Sequence, residues 1–257
     1  LNDIIELINK EFPRKSGIIY CFSRKETEMV SQFLTKNGCV ANPYHAGMQD
    51  LERNCNHEKW LKNKFKVMVA TIAFGMGIDK SDVRFVIHYS LPKSVEGYFQ
   101  EGGRAGRDNQ MARCILYYNY HDVNRIRRII EKDTESDDKT KKQHIKNLYD
   151  VVQYCENRIE CRRSQMLAYF GEHKFDPIEC KNHSETTCDN CLSKESYRSL
   201  DTTHMIRNIV DSVKFVSHAG SDNWRKPIKQ PRFTMAHFVD IFLGKFHAKI
   251  RDAGHAK

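Results

Sequence analysis

An α/β fold built on a parallel sheet, continued by a helical cysteine-bearing segment, is predicted by three observations. Short, continuous apolar runs recur at residues 17–21 (Gly-Ile-Ile-Tyr-Cys), 66–70 (Lys-Val-Met-Val-Ala) and 83–88 (Val-Arg-Phe-Val-Ile-His), as in strands buried on both sheet faces. A helical period separates the first two, and strands alternating with helices read as a parallel sheet. Further on, Cys161, Cys180, Cys188 and Cys191 fall in the pattern C-x18-C-x7-C-x2-C, a spacing suited to one metal ion.

Each element follows from local chemistry. Residues 1–10 are amphipathic and carry two acids, unlike a signal peptide. In residues 25–37, Met29, Val30, Phe33 and Leu34 recur at helical spacing and Gly38 supplies the stop. Residues 114–118 give the last strand, and the sheet domain ends near Tyr120. Residues 131–146 run acidic and then basic and read as a solvated helix face or loop. From His144 to Phe170 the pattern is helical, with Leu148, Val151, Val152 and Cys155 on one stripe. A third segment starts near Asp201. There Ile206, Ile209, Val210 and Val213 share one helix face, and residues 234–243 form a second helix, capped by Thr234 and stopped at Gly244. The expected domains are 1–120, 121–196 and 197–257.

The 257 residues suffice for one to three domains, and no apolar run approaches the ~18 residues a membrane span needs, so no membrane partner is expected. Lys and Arg number 42 against 33 Asp and Glu, for a net charge of +9. Of this excess, the segment 196–257 holds 11 basic and 5 acidic residues. Such a block suits a phosphate-bearing partner, although a ribosomal or membrane-surface partner would select the same charge. The nine cysteines and the missing signal peptide point to a reducing compartment rather than a disulfide framework. The sequence opens on Leu1, not Met, and reads as a piece of a longer chain.

Residues 100–108, Gln-Glu-Gly-Gly-Arg-Ala-Gly-Arg-Asp, set two arginines and a glutamine among three glycines. Gln100 and Arg104 are four apart and share a face if the stretch is helical. Gly106 then turns the chain and aims Arg107 beside them. Two guanidinium forks on a glycine-relieved backbone suit bidentate recognition of phosphate. An isolated R-x-x-R would read as a solvated surface pair; the nine-residue string is far more specific. It resembles motif VI of superfamily-two helicases, in the form found in RecQ-type DNA helicases.

Other strings carry the same resemblance. Residues 71–80, Thr-Ile-Ala-Phe-Gly-Met-Gly-Ile-Asp-Lys, leave a buried strand at its carboxyl end, where open α/β sheets bind ligands, and are similar to RecQ motif V. Residues 20–24 match motif IV, residues 44–47 the loop after the next strand, and residues 88–98 the run into motif VI. The resemblance implies a RecA-like domain whose Arg104 and Arg107 reach the γ-phosphate of ATP, with its Mg2+, on another domain. Gln100 would position water or sense the nucleotide. Gly77 and Asp79 would approach the nucleotide, Asp79 through a ribose hydroxyl or a metal-bound phosphate. It further implies that Ser23, Arg24, His45, Thr71 and Lys93 contact single-stranded DNA, Thr71 through its hydroxyl or amide. For His45 the rival reading is a satisfied structural histidine, and for Lys93 a solvated lysine. Gly102 and Asn109 depart from the family's usual residues.

The four cysteines suit a closed, tetrathiolate structural zinc site, and Cys155, on the apolar stripe, should be core. Four unrelated buried thiols are the alternative. The strings Cys-Arg-Arg at 161–163 and Cys-Asp-Asn-Cys at 188–191 resemble the RecQ zinc-binding domain. Residues 232–235 and 239–244 resemble the start of the winged helix in the Bloom branch of the family, here partial. Trp224, Arg225, Lys226 and Lys229 could meet phosphates there or belong to a solvated loop. The family implies an ATP-dependent 3′-to-5′ DNA helicase of recombination, repair and replication, working in the nucleus on single-stranded and duplex or junction DNA. No G-x-x-x-x-G-K-[ST] string occurs in these residues, so the fragment alone is not expected to hydrolyse ATP. The rival classes are a non-catalytic DNA-binding or partner-docking module and a related RNA helicase; no signal names a protein partner.

Overall fold

The computed structural model describes residues 1–75, 78–198, 200–218, 234–245 and 248–252. Five strands, β1 (Ser16–Tyr20), β2 (Ala41–Tyr44), β3 (Val67–Ala70), β4 (Val83–His88) and β5 (Arg113–Leu116), lie parallel in one sheet in the order β2-β3-β1-β4-β5. Around them run α1 (Asn2–Glu11), α2 (Arg24–Lys36), α3 (Asp50–Leu61) and α4 (Val95–Gly102). The expected α/β fold is thus the observed one, with strand ends shifted by a residue or two.

Both sheet faces are buried, which explains the continuous apolar runs. Ile19, Val67, Val69, Phe85 and Ile87 meet Ile4 and Ile8 of α1 and Val30 and Leu34 of α2. On the opposite face Ile18, Tyr20, Met68, Ala70 and Val86 meet Trp60 of α3 together with Phe74 and Ile78. The last two belong to the β3–β4 crossover, which carries no helix among its described residues, so residues of motif V themselves roof the sheet. Gly17 makes room for the Phe85 ring: a Cβ there would lie 2.1 Å from two ring carbons. On α2 the buried stripe is Thr27, Val30, Ser31 and Leu34. Met29, expected inside, is 44% exposed. The two hydroxyls are buried cheaply because each donates within its own turn, Thr27 to the Ser23 carbonyl and Ser31 to the Glu28 carbonyl, both at 2.9 Å.

Beyond the sheet come α5 (Tyr120–Lys132), α6 (Asp138–Glu156), α7 (Arg162–Tyr169), α8 (Pro177–Asn182) and α9 (Asp189–Leu192). Helix α5 was not anticipated, although Val123, Ile126 and Ile130 mark its inner face. The segment 131–146 divides. Its acidic part contains the α5–α6 turn, and Lys139, Lys142 and Lys146 that follow lie on the solvated side of α6, which Asp137 caps by accepting from the Thr140 amide at 2.8 Å. The helix expected through Phe170 breaks at residues 157–161, where the Asn157 side chain accepts from the Ile159 and Glu160 amides, each at 3.1 Å. Leu148, Val151 and Val152 are buried as expected, with Cys155 packed at their margin. They share one cluster with Val123 and Ile126, with Met166 of α7, and with Leu91 and Val95 from the sheet portion. Residues 1–194 accordingly form one compact unit and 195–257 a second.

The second unit contains α10 (Thr203–His218), α11 (Met235–Phe242) and α12 (Ala248–Asp252). The Thr234 hydroxyl caps α11 by accepting from His237 N, and Gly244 ends it at φ +64°. Trp224, Arg225, Lys226, Lys229, Arg232 and Phe233 lie outside the described residues.

Candidate active site and metal centre

All five strands run the same way, so the segments after β1, β2, β3 and β4 converge on one sheet edge. The segment after β3 is pinned at both ends. Phe74 is fully buried among Tyr44, His57 and Trp60, with ring centroids 4.6, 5.9 and 5.4 Å away, and its carbonyl accepts from the Tyr20 hydroxyl at 2.9 Å. Lys80 is buried over the Trp60 ring, its ammonium 2.8 Å from Asp82 and 3.2 Å from the Asn63 side-chain oxygen. Lys80 therefore anchors the loop, a role its place in the string did not suggest. Gly77 lies outside the described residues. Of the two groups expected of Thr71, the amide donates to the Tyr44 carbonyl at 3.2 Å, leaving the hydroxyl as the group able to donate outward.

The Ser94 hydroxyl caps α4 by accepting from Gly97 N at 3.1 Å. The helix ends at Gly102, so Arg104 does not continue the helical face of Gln100 as expected; it lies in the turn that follows. Gly103 N and Ala105 N still bond back to Phe99 and Gly102, at 2.9 and 3.1 Å. Gly106, at φ +69°, donates to the Val83 carbonyl at 2.9 Å, and a Cβ there would strike the Gln110 carbonyl. This turn drives Arg104 inward, to 7% exposure, with the edge of its guanidinium close to Gly75. Its Nε has no hydrogen-bond partner. Burial pushes the Tyr20 hydroxyl up, against the pull of the neighbouring Arg104 charge. Arg107 donates to the Ile78 carbonyl at 2.8 Å and to the Asp79 carboxylate at 3.0 Å. Asp108 is a brace: Arg84, at the start of β4, donates to both its oxygens at 2.7 and 2.6 Å.

Gly75, Asp79, Arg104 and Arg107 are thus brought together from two strings about 28 residues apart. Gln100 is exposed on α4 and makes no side-chain hydrogen bond among the described residues. Lys93 is exposed just before the α4 cap. Arg24 is exposed and lies against Gly47, where a Cβ would come within 2.9 Å of its side chain. Ser23 caps α2 in a reciprocal capping box with Glu26. His45 is the correction among the DNA-contact residues. It is 4% exposed, and both ring nitrogens are engaged at 3.2 Å, one by Glu28 and the other by the Gly47 amide. That is the structural reading of His45, and the imidazole has no free edge for DNA.

Glu26 was not singled out from sequence, yet it joins these segments. Its carboxylate accepts from the Phe22 amide at 3.1 Å, the Ser23 amide at 3.3 Å and the Ser90 hydroxyl at 3.1 Å. It also pairs with Arg125 of α5, whose guanidinium stacks over Phe22.

The second constellation is the thiol cluster. Sulfurs of Cys161, Cys180, Cys188 and Cys191 lie within 4.8 Å of one another, and Cys161 and Cys188 are 3.9 Å apart. Zinc–sulfur bonds of about 2.3 Å place tetrahedral sulfurs about 3.8 Å apart, so the cluster fits zinc with no position left for substrate. The α8 and α9 helices bring Cys180 and Cys191 to Cys161, which precedes α7. Burial pushes the Cys161 thiol up, but the Ser164 and Arg163 amides at the start of α7, together with the neighbouring Cys180 and Cys191, outweigh it and bring it down to about 7. Arg163 donates to the Cys180 sulfur at 2.6 Å, and the Arg162 amide donates to the Cys188 sulfur at 3.4 Å. Arg162 also pairs with Asp189 at 3.0 Å and stacks on Tyr154, while Asn190 bonds the Asn157 and Glu160 carbonyls. These outer contacts orient the ligands. Their signal lay in the Cys-Arg-Arg and Cys-Asp-Asn-Cys strings.

Comparison with known proteins agrees with this geometry. Residues 1–109 match the helicase conserved C-terminal domain, and residues 120–192 match the RecQ zinc-binding domain. The RecQ-like DNA helicase BLM of Xenopus laevis is 50% identical over 250 residues, 97% of this chain and 18% of that protein. The RecQ-like DNA helicase blm-1 of Caenorhabditis elegans is 51% identical over 74% of this chain and 19% of its own. ATP-dependent DNA helicase Q1 of Pongo abelii is 38% identical over 99% of this chain and 36% of its own. The chain spans about a fifth to a third of the length of these relatives. With a parallel α/β domain bearing motifs V and VI and a tetrathiolate cluster joined to it through α5 and α6, the chain belongs to the RecQ family of DNA helicases, spanning the helicase C-terminal and zinc-binding portions.

Proposed function

We propose that the chain supplies the second motor half of an ATP-dependent 3′-to-5′ DNA helicase. Arg104 and Arg107 face the γ-phosphate of an ATP held, with its Mg2+, on a P-loop motor domain. The carrying observation is Arg104: a guanidinium buried at the ligand-binding edge of a parallel sheet, with no ion pair among the described residues and an unpartnered Nε. Its side chain lies against the neutral Tyr20 hydroxyl and meets no counter-charge among the described residues; a buried charge left so is costly, and a site that keeps one is ready for an external anion. Asp79 holds Arg107 meanwhile, and Gln100 stands on the adjoining exposed turn of α4 to meet water or nucleotide.

Thr71, Arg24 and Lys93, with the Ser23 hydroxyl beside them, contact the phosphates of single-stranded DNA, which positions without reading sequence. The zinc centre is structural and holds residues 157–192 on α6. The division into a motor domain at 1–120, a zinc-binding domain at 121–196 and the first part of a winged helix at 197–257 belongs to the same reading. So do a nuclear location and duplex or junction DNA as substrate.

In a protein joining this chain to a P-loop motor domain, Arg104→Ala should lower DNA-stimulated ATP turnover by about 10³-fold or more while leaving ATP affinity nearly unchanged. Turnover at the unsubstituted rate would refute the assignment.

A further inference from the structure

Arg104 is buried in the same turn of chain as a buried carboxylate with which it forms no ion pair. Glu101 lies three residues upstream and is itself buried, and the Arg104 amide donates to the Glu101 carbonyl at 3.3 Å. Tyr20 links the two: its ring stacks on His88, the partner of Glu101, and its hydroxyl lies against the Arg104 side chain. A guanidinium and a carboxylate sharing a buried site would ordinarily close a charge-assisted pair. Here Arg104 forms no ion pair among the described residues.

Glu101 is turned instead to His88, at the end of β4, with Nε2 and Oε2 2.6 Å apart. Tyr20 stacks on the imidazole at 5.3 Å and Tyr98 meets it edge-on at 4.9 Å, which fixes the ring plane. Nδ1 of the ring has no partner, so the contact to Glu101 is the hydrogen bond this histidine makes. Arg107 differs: its partner Asp79 is exposed, and an exposed pair of that kind opens readily.

We propose that His88 is a positioning residue that sequesters Glu101, keeping the Arg104 guanidinium unpaired and available to a nucleotide phosphate. Without His88, the freed carboxylate turns onto Arg104 and quenches it from inside the fold. This rests on Arg104 being the phosphate-facing finger.

The test uses the protein that joins this chain to a P-loop motor domain, assayed for DNA-stimulated ATP turnover and ATP affinity. Arg104→Ala examines the finger reading by itself: undiminished turnover there sinks that reading whatever His88 does. Given a loss at Arg104, His88→Phe is expected to lower kcat about 10- to 100-fold with little change in KM for ATP. His88→Gln, which can still donate to Glu101, keeps most of the activity. Adding Glu101→Gln to His88→Phe removes the quenching charge and restores turnover to within about three-fold. A merely structural role for His88 predicts that the double variant is as poor as the single one.

Undiminished turnover in His88→Phe, or no recovery in a folded double variant, overturns the proposal. Should His88→Phe fail to fold by circular dichroism, Glu101→Gln alone decides. The proposal requires that variant to keep its turnover, and a loss in the folded protein refutes it.

Discussion

Cys180→Ala removes a sulfur from the cluster on which α7, α8 and α9 converge. Helix α8 buries only Cys180, α9 buries no residue, and α7 buries only Met166. Burying that methionine contributes about 1.5–3 kcal/mol, whereas ordering each residue of the segment costs roughly 1–2 kcal/mol in backbone entropy. With Phe170 on Phe99 and Tyr169 bonded to Glu96 as the further contacts of α7 and its end, packing offsets little of that cost, and the metal supplies the rest. A structural zinc contributes about 10–16 kcal/mol to folding, so an even share for one of four thiolates is about 2.5–4 kcal/mol. The Arg163 guanidinium, which now meets the Cys180 sulfur, would lose that partner as well. The expected result is loss of zinc and of amide-exchange protection across residues 157–192, with the sheet still protected. Cys155→Ala, a partly buried thiol outside the cluster, should keep its zinc and cost about 1 kcal/mol. Zinc content and hydrogen exchange measured on both variants decide the matter. Undisturbed exchange in Cys180→Ala, or metal loss in Cys155→Ala, would refute the reasoning.

Two further outcomes test the sheet and the motif V anchor. Gly17→Ala drives a Cβ into the Phe85 ring in a filled core and should cost about 1–3 kcal/mol, read as a lower urea midpoint; a neutral result would mean that β1 and β4 separate more freely than their packing allows. At Asp82, burial raises the carboxyl, but the hydrogen bond and charge of Lys80 outweigh it and hold the group below its usual value. A folded pKa below the unfolded one stabilises the fold at and above the ordinary carboxylate range, near pH 4. That contribution fades as pH falls through the folded value. Asp82→Asn should therefore flatten the acid limb of stability below about pH 4, and equal acid sensitivity in both proteins would count against the Lys80 anchor.

Contiguous features were legible in the sequence and partner choice was not. The buried strands, the motif strings and the zinc spacing each lie within a short window, where period and chelate geometry constrain the residues directly. Nothing local states that Arg107 finds Asp79 or that His45 is claimed by Glu28, because those partners meet only once the parallel strands share an edge. The end of α4 at Gly102 departs from the helical expectation for a related reason. Four-residue spacing suits a helix, but the Gly106 amide bonds to Val83 on β4, and that tertiary contact fixes a turn where local periodicity allowed another. The zinc ligands were readable from spacing, while their supporting layer depends on Arg162 folding back over Tyr154.

The Glu26 carboxylate couples the placement of three peripheral segments. The turn after β1, Ser90 after β4 and Arg125 on α5 all reach the same two oxygens. An insertion or deletion in any one of them has to preserve that reach or strand the other two. A change of length in one of the three segments is therefore expected to unseat the other two, because a single acidic side chain sets their common reach.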